Sequence, residues 1–305
     1  MNFNKSCLYT ALSFAFAHSA FAGQESETMT VWSSPASAAT TTVLGQETMQ
    51  QLDKQNVAQA LSVVPGVVLQ KSGNRNEQQV KVRGFDSRQV PVYFDGVPVY
   101  IPYDGNLDLG RFLTSDIASV EVSKGYSSLL QGPNQMGGAI NITTQKPTKP
   151  IEGSIGYRQG WSRSKDNAHD MHASFGASND LGYIQLSGSQ LKQDFLGLPH
   201  GVDNPIAGSN GKMINSSADD KRGIVKLGFT PRGNDEYVLT YINQDGEKDN
   251  PPYAGTSSQK SRYWQWPQYD KESYYYQGTT HLGDRFTLKS RLYRDTFENT
   301  LMMYN

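Results

Sequence analysis

The chain has 305 residues, a formal net charge of -1 and an isoelectric point near 6.5, so it offers neither a basic patch for nucleic acid nor an acidic tail. Mean hydropathy is -0.59 and no run of about 18 apolar residues follows the N-terminal region, which argues against an apolar membrane helix but not against a β-barrel, whose strands alternate faces. The 17 Tyr and 29 Gly fit aromatic girdles and many turns, with a soluble all-β protein as the competing reading.

Met1 to Ala22 reads as a secretory signal: Lys5 supplies the positive start, Leu8 to Ala17 the apolar run, and Ala20-Phe21-Ala22 an A-x-A cleavage site. The single cysteine, Cys7, precedes the apolar run, so it is not placed for lipid attachment. The mature chain is expected to start near Gly23 without a thiol, leaving no disulfide, thiol nucleophile or cysteine metal site. Glu27, Thr28, Met29, Thr30, Val31 and Trp32 come next, ahead of a Ser/Pro/Ala/Thr tether. An exposed extended segment of this kind can add as a strand to a partner's sheet edge; a plain linker is the alternative.

Thr48 to Val63 is expected as one helix, with Leu52, Val57, Ala60, Leu61 and Val64 on its apolar face and Pro65-Gly66 as its stop. Val67-Val68-Leu69 then starts a strand. Short β-rich runs follow at Gln79-Val82, Val90-Phe94, Ser119-Ser123 and Ala139-Thr143, each bounded by Gly or Pro. Asp95-Gly96 marks a hairpin turn. These elements predict a small α+β domain. The run GPNQMGG, 132–138, lacks a phosphate-loop context and reads as a turn that approaches other backbone closely.

After Pro147 and Pro150 the pattern changes to strands of about ten residues with period-two alternation, the signature of outer-membrane barrels. Ile151, Ile155 and Tyr157 share one face and Glu152, Ser154 and Arg158 the other. Met171, Ala173, Phe175 and Ala177 oppose His172 and Ser174, and Ile184 and Leu186 oppose Gln185 and Ser187. Val225, Leu227 and Phe229 oppose Lys226 and Thr230, and Tyr237, Leu239 and Tyr241 line the fifth strand. A Tyr-rich sixth strand, Glu272 to Thr280, has an ambiguous face, and Phe286, Leu288 and Leu292 oppose Thr287, Lys289 and Arg291 in the seventh. A charge at outward Leu227 is expected to be costly, and a swap at inward Lys226 much less so. Short connections at Asn179-Asp180, Arg232 to Asp235 and Gly283-Asp284 alternate with long ones at Asp194 to Asp219 and Glu247 to Gln268, and the Trp161 to Ala168 connection falls on the long side of that alternation. That alternation puts the long connections outside the cell.

The wording LSVVPGV, VRGFDSRQVPVYFDGVPV, IASVEVSKG and GGAINITTQKP resembles the plug domain of TonB-dependent outer-membrane receptors, over about residues 27 to 150. The remainder is more loosely similar to the start of that family's barrel. One departure is Gln131-Gly132, where the family often has Tyr-Gly. The resemblance implies an α+β plug followed by antiparallel transmembrane β-barrel strands, divided as 1–22 signal, 23–45 TonB box and tether, 46–148 plug and 149–305 barrel. Glu27 to Trp32 resembles the TonB box. Only about four residues separate it from the cleavage site, which disfavours the extra domain of signalling transducers. Implied partners are TonB with its inner-membrane energising complex, a small-molecule chelate and outer-membrane lipid, in the Gram-negative outer membrane after export through the periplasm. The commonest cargo of the family is a ferric siderophore, with cobalamin or another chelate as competitor. No nucleotide or prosthetic cofactor is implied. About seven strands against an expected 22 make the barrel incomplete, so the chain is expected to be truncated and not transport-competent alone. A non-transporting surface barrel, such as an adhesin or a phage or bacteriocin docking site, is the alternative from another class.

No enzyme motif appears. Of His18, His169, His172, His200 and His281, only His169 and His172 lie close, and three residues apart in a strand puts them on opposite faces. Ligand contact is expected from the plug apex, Tyr100, Tyr103, Asp104 and Asn106, and from the aromatic loop 262–269, through Arg262, Trp264 and Trp266. An aromatic girdle is the alternative for the two tryptophans. Arg83, Arg88 and Arg111 are the plug cations expected to pair with barrel carboxylates, with solvated loop charge as the alternative.

Overall fold

A computed structural model describes residues 41–304, apart from 73–75, 100–104, 126–133, 164, 233, 256–259 and 284. The expected signal segment, the Glu27 to Trp32 stretch, Tyr100, Tyr103, Asp104 and the start of the Gly-rich run lie outside the described residues.

The tether drawn from sequence ends early, because the β-branched run Thr41–Gly45 forms strand β1. The expected single helix is two short ones, α1 (Gln46–Gln51) and α2 (Val57–Leu61). Between them Asp53 adopts a left-handed φ of 52°, which ends α1. Asn56 then caps α2 by accepting from the Gln59 amide at 2.9 Å. Val57, Ala60, Leu61 and Val64 are buried as the stripe requires, but Leu52 sits at the break and is 46% exposed.

Strands β2 (Val67–Ser72) and β3 (Glu77–Val82) pair with each other. Strands β4 (Val92–Phe94) and β5 (Val97–Val99) flank Asp95-Gly96, whose φ values of 49° and 76° suit a two-residue type I′ hairpin. Strand β6 (Ile117–Lys124) pairs antiparallel with β1, and β7 (Gly138–Thr144) bridges β6 and β4, parallel to the latter. The sheet order is β1-β6-β7-β4-β5. Its apolar side packs on α2 through Val120, Val122, Ile140 and Ile142, all buried in one core with Val57 and Leu61.

Seven long strands follow, each paired antiparallel with its sequence neighbour: β8 (Ile151–Ser162), β9 (Lys165–Asn179) and β10 (Gly182–Gln193), then β13 (Ala218–Arg232), β14 (Asp235–Asp249), β15 (Tyr263–Leu282) and β16 (Phe286–Tyr304). A small ribbon, β11 (Gly208–Ser209) and β12 (Lys212–Met213), lies within the β10–β13 connection. These strands are longer than the sequence pattern marked out. Pairing runs to Ser162↔Lys165, so Trp161 to Ala168 is strand and tight turn rather than a long connection. Arg262 to Tyr269, expected as a loop, is strand from Tyr263 onward. Pro267 lacks a ladder donor and sits where the register slips between Gln265 and Gln268.

The alternation separates two faces. Ile155 is 88% exposed, and Ile151, Leu227, Leu239, Phe286 and Leu292 are exposed on the same outward side, whereas Lys226 is 1% exposed. In the Tyr-rich strand, Tyr274 faces outward and Tyr275 inward. Among the described residues β8 and β16 each pair on one side only, so the sheet is open. No helix among the described residues is long and apolar enough to cross a membrane.

Gly138 starts β7 with φ +117°, and a Cβ there would lie 1.9 Å from the Ser123 carbonyl oxygen. Gly138→Ala should therefore cost at least about 2 kcal/mol, read as a lowered urea midpoint. An unchanged midpoint would mean that β6 and β7 are not held this closely.

Candidate functional site

The N-terminal domain and the seven-stranded sheet share one interface, on the sheet's inward face. On β13, period two brings Asp220, Arg222, Ile224 and Lys226 to that side, and all four are buried. On β14 the same rule buries Val238, Thr240, Ile242, Gln244 and Lys248. Apolar contact comes from Ile224, Ile242, Trp266, Tyr269 and Tyr275, which join the core of the N-terminal domain.

Within this interface lie four ion pairs among the described residues, each nearly excluded from water. Lys226 Nζ lies 3.1 Å from Asp95 Oδ2, with both side chains 1% exposed. Lys226 also donates to Thr144 Oγ1, and Asp95 accepts from the Thr144 amide at 2.8 Å and its hydroxyl at 2.6 Å. The rest of the turn is held too: Gln277 donates to the Asp95 carbonyl, Arg291 to the Gly96 carbonyl, and the Gly96 amide to Asn141 at 3.1 Å. The hairpin tip is thus bonded to β7, β13, β15 and β16.

Arg222 grips Asp116 with two guanidinium nitrogens, Nε at 2.7 Å, and also donates to the Leu113 carbonyl. Lys248 pairs with Asp108 and donates to the Asn76 carbonyl at 3.1 Å. Asp108 accepts further from the amides of Gln78 at 2.9 Å and Gly110 at 3.1 Å. Arg111 Nη2 lies 2.7 Å from Asp220, and its guanidinium stacks 4.9 Å over the Tyr269 ring. Every ion of these pairs meets an opposite charge, which is what makes their burial tolerable. A fifth, half-exposed pair joins Lys146 to Glu236 at 2.6 Å, with the Tyr183 hydroxyl on the same carboxylate.

Among the four buried pairs only Arg111 is a cation supplied by the domain; at the other three it supplies the carboxylate. Arg83 donates instead to the Lys124 carbonyl at 3.3 Å within its own domain. Arg88 pairs with Asp86 at 2.9 Å on the surface, and this hydrogen bond holds the Asp86 carboxyl below the ordinary carboxylate range. Lys226 corrects the expectation of a tolerant inward position, because it faces a carboxylate and not lumen water. Asp95 read in the sequence only as part of a turn, and nothing there pointed to Asp108 or Asp116 in this role. A usable signal was Gly246 in the interior of β14, where a Cβ would meet Arg111 Nη2 at 2.0 Å.

Of the expected ligand contacts, Asn106 accepts from the Ser87 hydroxyl at 3.0 Å. Arg262 stacks 4.8 Å over Trp264. Trp266 is 6% exposed and packs edge-on against Tyr269 at 6.2 Å, so it belongs to the interior rather than to a loop or an outer girdle. No group of three metal-ligating side chains occurs among the described residues.

The family model described as TonB-dependent Receptor Plug Domain matches residues 35–139. The chain carries a TonB-dependent receptor plug. Helices α1 and α2, the five-stranded sheet and the Asp95-Gly96 tip are therefore plug elements, and the seven-stranded sheet is the wall they dock on. The vitamin B12 transporter BtuB of Vibrio vulnificus is 27% identical over 172 residues, 54% of this chain and 28% of that protein. The pesticin receptor of Yersinia pestis is 36% identical over 115 residues, 34% of this chain and 16% of that one. The siderophore receptor PirA from Pseudomonas aeruginosa shares the fold, with a TM-score of 0.61 at 15% identity over 88% of this chain and 42% of PirA. The chain thus spans less than a third of the curated relatives it matches.

Removing one member of the buried Lys226–Asp95 pair should cost about 3–5 kcal/mol, because the other charge stays buried alone. We expect this for Lys226→Met and for Asp95→Leu, and a smaller loss for the double variant than for the sum, measured by urea denaturation in detergent micelles. Single-variant losses below about 1 kcal/mol would show that water reaches the pair.

Proposed function

We propose that this chain acts in a TonB-dependent receptor that imports a scarce nutrient across the outer membrane of a Gram-negative cell. The observation that carries the reading is a plug held by four buried ion pairs on the inward face of a sheet whose outward face is apolar. An apolar outer face suits lipid, and an inner face whose buried charges are paired suits a domain that must seat reproducibly. In this reading residues 1–22 direct export through the periplasm and are removed. Residues 27–32 recruit TonB and its inner-membrane energising complex, and residues 41–148 form the gate. The protein is a receptor and not an enzyme, with no prosthetic group.

The ligand class we favour is a ferric siderophore, supported by the likeness to a siderophore receptor, with Asn106, Arg262 and Trp264 as contact candidates. The name of the vitamin B12 transporter keeps cobalamin as the main competitor. A second reading, a docking site for a bacteriocin, is favoured by the relative named as a pesticin receptor. Transport in either case needs the edges of β8 and β16 paired, since each unpaired backbone group in lipid costs several kcal/mol.

Deleting Glu27 to Trp32 from a full-length version should abolish uptake and leave ligand binding intact. Growth on a panel of ferric chelates and cobalamin reads the outcome and identifies the cargo, and uptake unchanged by the deletion would remove the transporter reading. Leu227→Arg on the outward face should cost about 2–4 kcal/mol in a bilayer, measured by denaturant titration in vesicles.

A further inference from the structure

The outward face of the wall is not flat. Leu227, Leu239, Tyr241, Tyr274, Leu292 and Arg294 line a groove of about 480 Å³ across β13 to β16. Strand register arranges the groove in rows. Leu227 pairs with Leu239, Leu239 with Tyr276 and Tyr276 with Leu292. The next row runs from Val225 through Tyr241 and Tyr274 to Arg294, and the one beyond it from Gly223 through Asn243 and Glu272 to Thr296. Apolar side chains therefore give way first to aromatics with one arginine, then to polar groups.

The aromatic row is built. Tyr241 and Tyr274 both donate to Glu272, at 3.0 and 2.9 Å, and their rings stand 5.0 Å apart at 42°. Glu272 is thus occupied by two phenols. Arg294 is exposed at the groove mouth and has no ion pair among the described residues. The rise from Phe286 to Arg294 is roughly 20 Å, at about 3.3 Å per residue and about 40° of tilt. That places Arg294 near the far rim of an apolar band about 25 Å tall, on the side of the long connections. A forked guanidinium beside tilted aromatics, above an apolar trough, is complementary to a phosphate with an acyl chain beneath it.

We propose that this groove holds a phosphate-bearing lipid of the leaflet on the long-connection side, its acyl chain along Leu227, Leu239 and Leu292 and its phosphate on Arg294. The proposal rests on the membrane reading above.

The full chain reconstituted in phosphatidylcholine vesicles is first tested for flotation on a density gradient. Spin-labelled phosphatidic acid and spin-labelled phosphatidylcholine of equal chain length then report the lipid immobilised at the protein surface. We expect the wild type to prefer phosphatidic acid, Arg294→Gln to lower that preference about fivefold, and Arg294→Lys to keep part of it. Leu239→Trp, which fills the trough, should reduce immobilisation of both lipids. Equal preference in the wild type and Arg294→Gln would overturn the site, as would displacement of the labelled lipid by inorganic phosphate alone. Failure to float would overturn the membrane reading and the site with it; flotation without lipid preference would overturn the site alone.

Discussion

A lysine ammonium and a carboxylate, each 1% exposed, set the terms for the rest of this structure. An ion of that size loses several kcal/mol on leaving water, and only close counter-charge and hydrogen bonds offset the loss. Lys226 finds both in Asp95 and Thr144, and Asp95 in turn binds the Thr144 amide and hydroxyl. The pair fixes two registers at once. In β13, a slip of one residue would turn Lys226 into the outward apolar face and Leu227 into the plug. In the plug, the Asp95-Gly96 turn must adopt its double left-handed shape for the carboxylate to reach the wall.

The other three buried pairs repeat the principle with different chemistry. Arg222 reads Asp116 through a planar fork, Lys248 meets Asp108 as a point charge, and Arg111 adds stacking on Tyr269 to its contact with Asp220. Apolar groups of similar volume could hold the two layers together as firmly, because desolvation removes much of what an ion pair gains. Charge adds selectivity of position: a misplaced plug leaves ions buried without partners, whereas apolar contacts tolerate displacement.

Much of this architecture was legible in the sequence, for reasons that differ by element. The wall strands announced themselves because period two is enforced by lipid-type and plug-type surroundings on opposite faces, as at Val225, Lys226 and Leu227. The Asp95-Gly96 turn was readable because few residue pairs tolerate two left-handed positions. Helix α1 and α2 merged into one expectation because an apolar spacing survives a break that a single left-handed residue, Asp53, creates. Trp161 to Ala168 and Arg262 to Tyr269 passed for connections since polar and aromatic residues mark strand ends and loops alike. The acidic partners of the wall cations stayed hidden, because Asp108 and Asp116 come from connections whose backbone path follows from tertiary packing and not from any local pattern.

The order of strands in the plug sheet also has a mechanical meaning. β1, which continues directly from the residues before Thr41, occupies one edge, while the ion-paired hairpin β4–β5 occupies the other. Tension entering through the N-terminal segment loads the ladder from Thr41↔Ser123 to Gly45↔Ser119 first. That ladder can part pair by pair without disturbing a buried charge. Behind it lies β6, which starts beside Asp116 and its buried pair with Arg222, and then the hairpin held through Asp95, so a pull of this kind would find the sheet weak at its first strand and bolted to the wall at those behind it.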